Sequence, residues 1–246
     1  MILQRLEHLF GAAADPGQAA PMRAYMRDRF EFLGIPSVPR RELTLDVLRG
    51  RPRPDEPELL ATARACWELP EREYQYFACD YLRKHAKVLT PAAVPVLREL
   101  ITTKSWWDTV DTLASNVVGP LVLAHPDCVS TMDAWTAAGT DLWLVRTAIL
   151  HQLRYGEETD RARLFDYCDR WSGERDFFIR KGIGWALRQY ARTDPAGVRA
   201  FVGTHPGLSP LSVREALKHL GLRAARPAPR SRRSTRSPTR TVPGCR

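Results

Sequence analysis

The sequence predicts an all-α protein built from stacked pairs of helices, and three observations favour this fold class. Strict alternation of apolar and polar residues, which is typical of half-buried strands, is almost absent before position 220. Apolar residues recur instead at helical spacing, in segments of about 10–16 residues joined by short connections. Helix pairs recur about every 35–40 residues from position 55 onward, so they should stack into a curved solenoid with a concave surface. A compact all-α bundle is the alternative that this periodicity allows.

Helix starts are marked by capping residues followed by proline. Thr90-Pro91, Asp194-Pro195 and Ser209-Pro210 each place a capping side chain before a residue that suits the first helical position. In chain order, the predicted helices span 2–10, 19–32, 41–49, 56–68, 71–86, 91–102, 106–117, 127–137, 141–152, 158–170, 176–192, 195–203 and 210–220.

Composition narrows the class of protein. The chain has 246 residues, of which 44% are apolar, so it can supply a substantial hydrophobic core. No segment approaches the roughly 18–20 apolar residues that a membrane span needs, and the first residues lack the apolar stretch of a signal peptide. We therefore expect a cytoplasmic protein with no membrane association. The five cysteines are scattered and form no C-x-x-C pair, which predicts reduced thiols rather than a zinc site.

Charge divides the chain into two parts. Residues 221–246 contain eight arginines and no acidic residue, so only +1 of the net charge of +9 belongs to residues 1–220. We predict one folded domain over 1–220 and a disordered basic tail over 221–246, because the tail is low in complexity and cannot form a core. The tail is either solvated without a specific role or a salt-sensitive tether for phosphates. Any nucleic-acid surface of the folded part must be a local patch.

The most informative segment is Lys104-Ser-Trp-Trp-Asp-Thr-Val-Asp111. Trp107 and Asp111 lie four residues apart and therefore share one face of a helix. Ser105 is expected to cap this helix, with Asp108 in a position like that of a capping box. An aromatic ring one turn from a carboxylate could face a cationic substrate.

Two later helices carry residues that suit the same kind of site. Arg146 interrupts the apolar run 142–150, and a buried guanidinium needs several partners. Trp185 shares a helical face with Lys181 and Arg188, which is more typical of a wet groove than of a core. Taken singly, each aromatic residue also suits an ordinary core position, and Arg146 also suits a pair across the stack.

Motifs of several enzyme classes are absent from the sequence. There is no Walker loop, dinucleotide-binding glycine motif, nucleophile elbow, H-E-x-x-H or zinc-deaminase pattern. We therefore expect no cofactor and no metal. The glycine pair Gly182 and Gly184 lies within a predicted helix, where it would allow another helix to approach closely.

Together these motifs resemble the bacterial DNA alkylation repair glycosylases of the AlkD type, which are built from HEAT-like repeats. The resemblance covers about 2–220 and rests on the segment 105–111, on Arg146 within 143–148, and on 178–188. The segment 21–35 also resembles the first helices of the family.

The resemblance implies a function. The family hydrolyses the N-glycosidic bond of N3- or N7-alkylated purines, such as 3-methyladenine and 7-methylguanine, in double-stranded DNA, which starts base excision repair. By position, Trp107 and Trp185 match the aromatic pair beside the lesion, Asp111 the catalytic carboxylate, and Arg146 the arginine at the DNA backbone. We therefore expect a monomer that is associated with the nucleoid when it binds alkylated DNA.

Further residues are implied less directly. Tyr25, Lys181 and Arg188 match site or backbone contacts, so the concave face should be basic and bind DNA. The linker Pro36-Ser-Val-Pro39 departs from the family pattern. Two other functions fit a helical-repeat protein: a non-catalytic scaffold that binds a DNA structure, and an RNA-binding protein.

Overall fold

The computed structural model describes residues 2–220 of the chain. The predicted basic tail, 221–246, lies outside the described residues, and its interpretation as a phosphate tether stays a prediction. No helix among residues 2–220 is long and apolar enough to cross a membrane.

The described residues form helices, as predicted. A single isolated parallel bridge between Glu31 and Glu71 is the only β pairing in this part of the chain. The α-helices are α1 (Ile2–Ala12), α2 (Pro16–Tyr25), α3 (Ser37–Leu48), α4 (Glu56–Glu68), α5 (Arg72–His85), α6 (Val94–Thr102), α7 (Trp107–Leu113), α8 (Gly119–Ala124), α9 (Val129–Trp135), α10 (Leu142–Leu150), α11 (Arg161–Arg170), α12 (Phe177–Tyr190), α13 (Pro195–Thr204) and α14 (Pro210–Ala216). Short 3₁₀ helices span Ala86–Val88, Pro91–Ala93, Pro126–Cys128 and Gly156–Glu158, and a π-helical turn, Ala114–Val118, joins α7 to α8.

Five helices pack against one another in chain order: α5, α7, α10, α12 and α14. We call them the inner row. A second row of helices packs against the inner row and consists of α4, α6, α9, α11 and α13. Three ion pairs between neighbouring inner helices, Arg72–Asp108, Arg146–Asp111 and Lys181–Glu215, join residues 36, 35 and 34 positions apart. This spacing fits the predicted repeat of helix pairs, and the predicted fold class is confirmed.

The core lies between the two rows. The largest apolar cluster includes a fully buried leucine from each of α5, α6, α7, α10 and α12, namely Leu82, Leu97, Leu113, Leu150 and Leu187. Each such side chain stabilises the fold by roughly 1.5–3 kcal/mol relative to an exposed position. The four cysteines at 66, 79, 128 and 168 form no disulfide bond, which agrees with the prediction of reduced thiols, and all four are buried.

The predicted caps at positions 90, 194 and 209 are confirmed. The side chain of Thr90 accepts a hydrogen bond from the amide of Ala92. Asp194 and Ser209 likewise accept from amides three residues later, at 2.7 and 3.0 Å. These bonds satisfy backbone donors that the first turn of a helix leaves free.

The predicted cap at Ser105 is wrong. Trp106 occupies the N-cap position of α7, and no side-chain hydrogen bond caps this helix. The hydroxyl of Ser105 donates instead to the carbonyl of Ile101 at 2.7 Å. Asp108 cannot complete a capping box, because its carboxylate accepts two hydrogen bonds from the guanidinium of Arg72.

Three predicted boundaries are also wrong. The helix predicted over 19–32 ends at Tyr25, because Arg27 and Asp28 adopt φ angles of +58° and +53°, which no right-handed helix contains. The supposed linker 36–39 supplies the first turn of α3, where a proline costs no hydrogen bond.

The helix predicted to end at 117 continues through the π turn into α8. Pro120 has no N–H to donate to the preceding turn, so a local change in the hydrogen-bond pattern avoids a loss of pairing.

The interpretation of the glycine pair is confirmed. A Cβ added to Gly182 would lie 3.1 Å from Nη1 of Arg146. A Cβ added to Gly184 would lie 2.5 Å from Cβ of Glu215 and 2.9 Å from the carbonyl oxygen of Ser212. Both glycines therefore permit close packing, Gly184 against the backbone of α14.

We expect Gly184→Ala to destabilise the fold by about 1–3 kcal/mol, because the backbone of α14 must move to admit the methyl group. Gly203→Ala is the matched control, since a Cβ at this helical glycine meets nothing within 4 Å. That change should be neutral or stabilising by up to about 1 kcal/mol. Urea unfolding of both variants measures the difference, and equal stabilities would contradict the close approach of α12 and α14.

Candidate active site

The centre of the candidate site is an ion pair between α7 and α10. Nε of Arg146 donates to Oδ1 of Asp111 at 2.7 Å, and Nη2 donates to Oδ2 at 2.8 Å. This bidentate geometry fixes both planar groups and is stronger than a single contact. The structure thus brings together two residues 35 positions apart that the sequence analysis proposed for one site.

Asp111 lies in a largely dry environment. Its side chain is 14% exposed. Burial raises the pKa of Asp111 above its ordinary value, and the hydrogen bond and charge of Arg146 oppose that rise. Arg146 therefore favours the ionised carboxylate in a position that would otherwise favour the neutral acid.

Arg146 is buried and donates its hydrogen bonds to groups within the protein. Its side chain is 3% exposed, and its third nitrogen, Nη1, donates to the carbonyl oxygen of Phe178 on α12. A Cβ at Gly182 would lie only 3.1 Å from this nitrogen, so the glycine allows the guanidinium to approach α12 closely. In this conformation Arg146 connects three inner helices, and its predicted contact with a DNA phosphate stays a prediction.

Trp107 and Tyr25 form the first aromatic wall of the site. Their rings meet edge to face with centroids 6.3 Å apart. Tyr25 is 74% exposed and Trp107 is partly exposed, so both can contact a ligand. They line a cleft of about 670 Å³, which we call the Trp107 cleft and which also contains Thr112 and Asn116.

A second cleft lies beside Trp185. It has a volume of about 430 Å³ and is lined by Ser115, Leu153, Arg154, Trp185 and Gln189. We call it the Trp185 cleft. Ser115 lies one turn beyond Asp111 and donates its hydroxyl to the carbonyl of that residue at 2.8 Å. Residues close to Asp111 in the chain therefore line both clefts, Thr112 beside Trp107 and Ser115 beside Trp185.

Lys181 and Arg188, on the same helix as Trp185, share one acidic partner. The carboxylate of Glu215 accepts from Nζ of Lys181 at 2.6 Å and from Nη1 of Arg188 at 2.5 Å. The hydrogen bond from Lys181 is the main cause that lowers the pKa of Glu215. Sequence reasoning missed Glu215, although its distance of 34 positions from Lys181 matches the helical repeat.

A second buried ion pair, also missed, lies one turn before Asp111. Arg72 is fully buried and donates to both carboxylate oxygens of Asp108, at 3.0 and 2.7 Å. The hydroxyl of Tyr76 donates to the same carboxylate at 2.7 Å. Burial, and next the negative charge of Asp108, raise the pKa of Tyr76. Asp108 therefore fixes the first turn of α7, where Trp107 lies.

Four arginines line the Trp107 cleft, Arg40, Arg41, Arg83 and Arg154, and none of them was predicted as a site residue. Arg40 lies with its guanidinium 4.3 Å from the ring centroid of Tyr76, and its Nε has no hydrogen-bond partner. Burial lowers the pKa of Arg40. Arg154 reaches the cleft from the turn after α10 and donates to Oδ1 of Asn116 at 3.0 Å. Only the fold brings these side chains to the cleft.

Residues 2–220 contain no group of three or more His, Cys, Asp or Glu side chains arranged to hold a metal ion.

The fold and site define a helical-repeat protein with a largely buried carboxylate–guanidinium pair, on helices whose neighbouring residues line two clefts that contain tryptophan. The sequence model of the family described as "DNA alkylation repair enzyme" matches residues 6–220, so the chain belongs to this family. A solved structure called "Predicted DNA alkylation repair enzyme from Enterococcus faecalis" is similar, with 32% identity and a TM-score of 0.76. The match covers 85% of this chain and 97% of that chain. No curated protein matches the chain at a significant level.

Proposed function

We propose that the protein is a DNA glycosylase that hydrolyses the N-glycosidic bond of N3- and N7-alkylated purines in double-stranded DNA. Membership of the DNA alkylation repair family supports a role in alkylation repair, with DNA as the substrate. The observation that carries the specific reaction is the Asp111 carboxylate, 14% exposed and held by Arg146, on a helical segment whose Thr112 lines the Trp107 cleft and whose Ser115 lines the Trp185 cleft. The protein acts in the cytoplasm as a monomer, in contact with the nucleoid DNA.

An alkylated purine is a better leaving group than a normal purine. Alkylation at N3 or N7 gives the purine a positive charge, so the base leaves as a neutral molecule without being protonated by a general acid. The remaining need is to stabilise the deoxyribose, which becomes positively charged as the bond to the base lengthens. A fixed carboxylate stabilises that charge and orients the attacking water.

Asp111 fills this role because it is held in place before the substrate arrives. Both carboxylate oxygens are bound to Arg146, so the negative charge needs little reorganisation in the transition state. Its low exposure strengthens the interaction with a nearby positive charge, since fewer water molecules screen it. We assign Arg146 the role of positioning Asp111, with its contact to a DNA phosphate as a second role after the substrate binds.

Trp107, Tyr25 and Trp185 favour a cationic ligand. The face of an aromatic ring attracts a cation with about 0.5–2 kcal/mol, depending on how far water is excluded. An alkylated purine and a developing oxocarbenium ion both carry such a charge, whereas an undamaged nucleotide does not. The aromatic walls therefore favour the lesion and its transition state over normal DNA.

A single-turnover assay tests the proposal. Excess protein is mixed with a duplex that contains one 7-methylguanine, and the release of free base is followed over time, with RNA as a competitor. We expect base release that the competing RNA does not suppress. Tight binding of the duplex without release would favour the non-catalytic scaffold, and preferential binding of RNA would favour the RNA-binding alternative.

The pH dependence of excision should report the state of Asp111. Ionised Asp111 is the active form, so the rate falls as the pH drops through the raised pKa of this residue. Arg146 lowers that pKa, and Arg146→Gln should therefore move the acid limb of the pH–rate profile to higher pH. Arg146→Lys, which keeps the charge, should move it less. An acid limb at the same pH in all three proteins would contradict the role of Arg146.

A further inference from the structure

Arg154 lies where the clefts of the candidate site meet. It lines both the Trp107 cleft and the Trp185 cleft, and it also lines a third groove of about 1090 Å³ that continues from the Trp107 cleft. Its side chain is exposed, so a ligand can reach the guanidinium. A strand that contacts both tryptophans would pass this residue.

Arg40 and Arg41 line the Trp107 cleft but not the Trp185 cleft, and three other cations of the site are already paired. Arg146 is buried against Asp111, and Lys181 shares Glu215 with Arg188. Among residues 2–220, Arg154 has no ion pair with a carboxylate, and its hydrogen-bond partner is the neutral amide of Asn116. Its full positive charge is therefore available to an anion.

The orientation of Arg154 is set by the π turn, residues Ala114–Val118. Asn116 lies within this turn, and its amide nitrogen donates to the carbonyl of Thr112 at 3.2 Å and to the hydroxyl of Ser115 at 2.9 Å. These two bonds leave the amide oxygen to accept from Arg154. Single π turns within α-helices occur often at functional sites, and this turn directly follows the helix that carries Asp111.

We propose that Arg154, oriented by Asn116, binds a phosphate of the DNA strand that passes between the Trp107 and Trp185 clefts. The inference rests on the proposed function, since it takes DNA as the ligand of these clefts. A guanidinium can bind a phosphate through two parallel hydrogen bonds, which would fix the register of the strand relative to Asp111. Arg154 supplies at the surface the phosphate contact that the buried Arg146 does not offer in this conformation.

The test measures affinity for an undamaged duplex as a function of salt concentration. Each phosphate contact contributes about 0.9 to the slope of log K against log salt, so Arg154→Gln should lower this slope by about one. The Kd at low salt should rise about tenfold, as expected for the loss of one charged hydrogen bond. Arg98→Gln is the control, because it removes the same charge from α6, whose exposed Arg98 lines none of these clefts.

Asn116→Asp provides an independent variant that leaves Arg154 in place. The new carboxylate should pair with Arg154, as Glu215 pairs with Arg188, and weaken DNA binding to a similar degree. Arg154→Lys should restore most of the salt slope. Thermal unfolding checks that all variants are folded.

The outcomes separate the two proposals. A lower slope in Arg154→Gln and Asn116→Asp, with an unchanged slope in Arg98→Gln, supports the phosphate contact even if the wild-type protein releases no base. An unchanged slope in Arg154→Gln, or equal losses in Arg154→Gln and Arg98→Gln, overturns it even if excision is observed.

Discussion

Replacing Asp111 with asparagine is expected to slow the release of 7-methylguanine by about 100-fold or more, with the affinity for duplex DNA largely retained. The amide has nearly the shape of the carboxylate but lacks the charge that stabilises the developing oxocarbenium ion. Affinity should persist because Asp111 is mostly buried against Arg146 and contributes little to the surface that meets DNA. Single-turnover kinetics and a binding titration measure the two effects separately.

Asp166→Asn is a matched control for this prediction. Asp166 lies on α11, outside the inner row, and forms a solvent-exposed ion pair with Arg170. Its change should leave the rate of excision unaltered. Excision by Asp111→Asn at the rate of the wild-type protein would remove Asp111 from the chemistry.

Replacing Asp108 is expected to have a large effect on the stability of the fold. Asp108→Ala should lower the free energy of unfolding by about 3–5 kcal/mol, because it leaves the fully buried guanidinium of Arg72 without its carboxylate. The hydroxyl of Tyr76 also loses its acceptor. Urea unfolding measures the change.

A double variant tests the cause of that loss. Arg72→Met combined with Asp108→Ala removes both charges, so it should be more stable than Asp108→Ala alone. A loss below about 1 kcal/mol in Asp108→Ala, as is usual for an exposed pair, would contradict the buried network. Asp108 and Asp111 thus differ in their expected effects, although they lie three residues apart on one helix.

Local patterns predicted most of the helices, since apolar spacing and proline-linked caps depend on neighbouring residues. These patterns failed where tertiary contacts determine the conformation of the backbone. Arg27 and Asp28 end α2 because both adopt left-handed conformations, which the neighbouring residues in the sequence did not predict. Pro36 and Pro39 suggested a linker, although proline is equally suited to the first turn of a helix.

Some residues of the candidate site could likewise be predicted from the sequence, whereas others could not. Trp107 and Asp111 could be grouped because they share a helix, and Arg146 was assigned to the same site from its place in an apolar run. The ion pair between Arg146 and Asp111 was not predicted, since the family resemblance implied a DNA phosphate as the partner of Arg146. The partners Arg72–Asp108 and Lys181–Glu215 were missed, although they are separated by 36 and 34 positions. A search for opposite charges one helical repeat apart would have found them.

Arg154 could not have been found by that search. Its importance depends on three clefts meeting at one side chain and on a π turn that presents Asn116. Neither feature follows from the spacing of apolar or charged residues. The exposed cation between two aromatic clefts is a property of the folded chain.

The proposed glycosylase cleaves the bond between base and sugar, and the products of the reaction show which bond is broken. They can be identified after a single turnover on a duplex with one 7-methylguanine, in the presence of a metal chelator. We expect free 7-methylguanine and a strand with one abasic site. An intact strand that still carries the base, with or without its methyl group, would contradict the proposal.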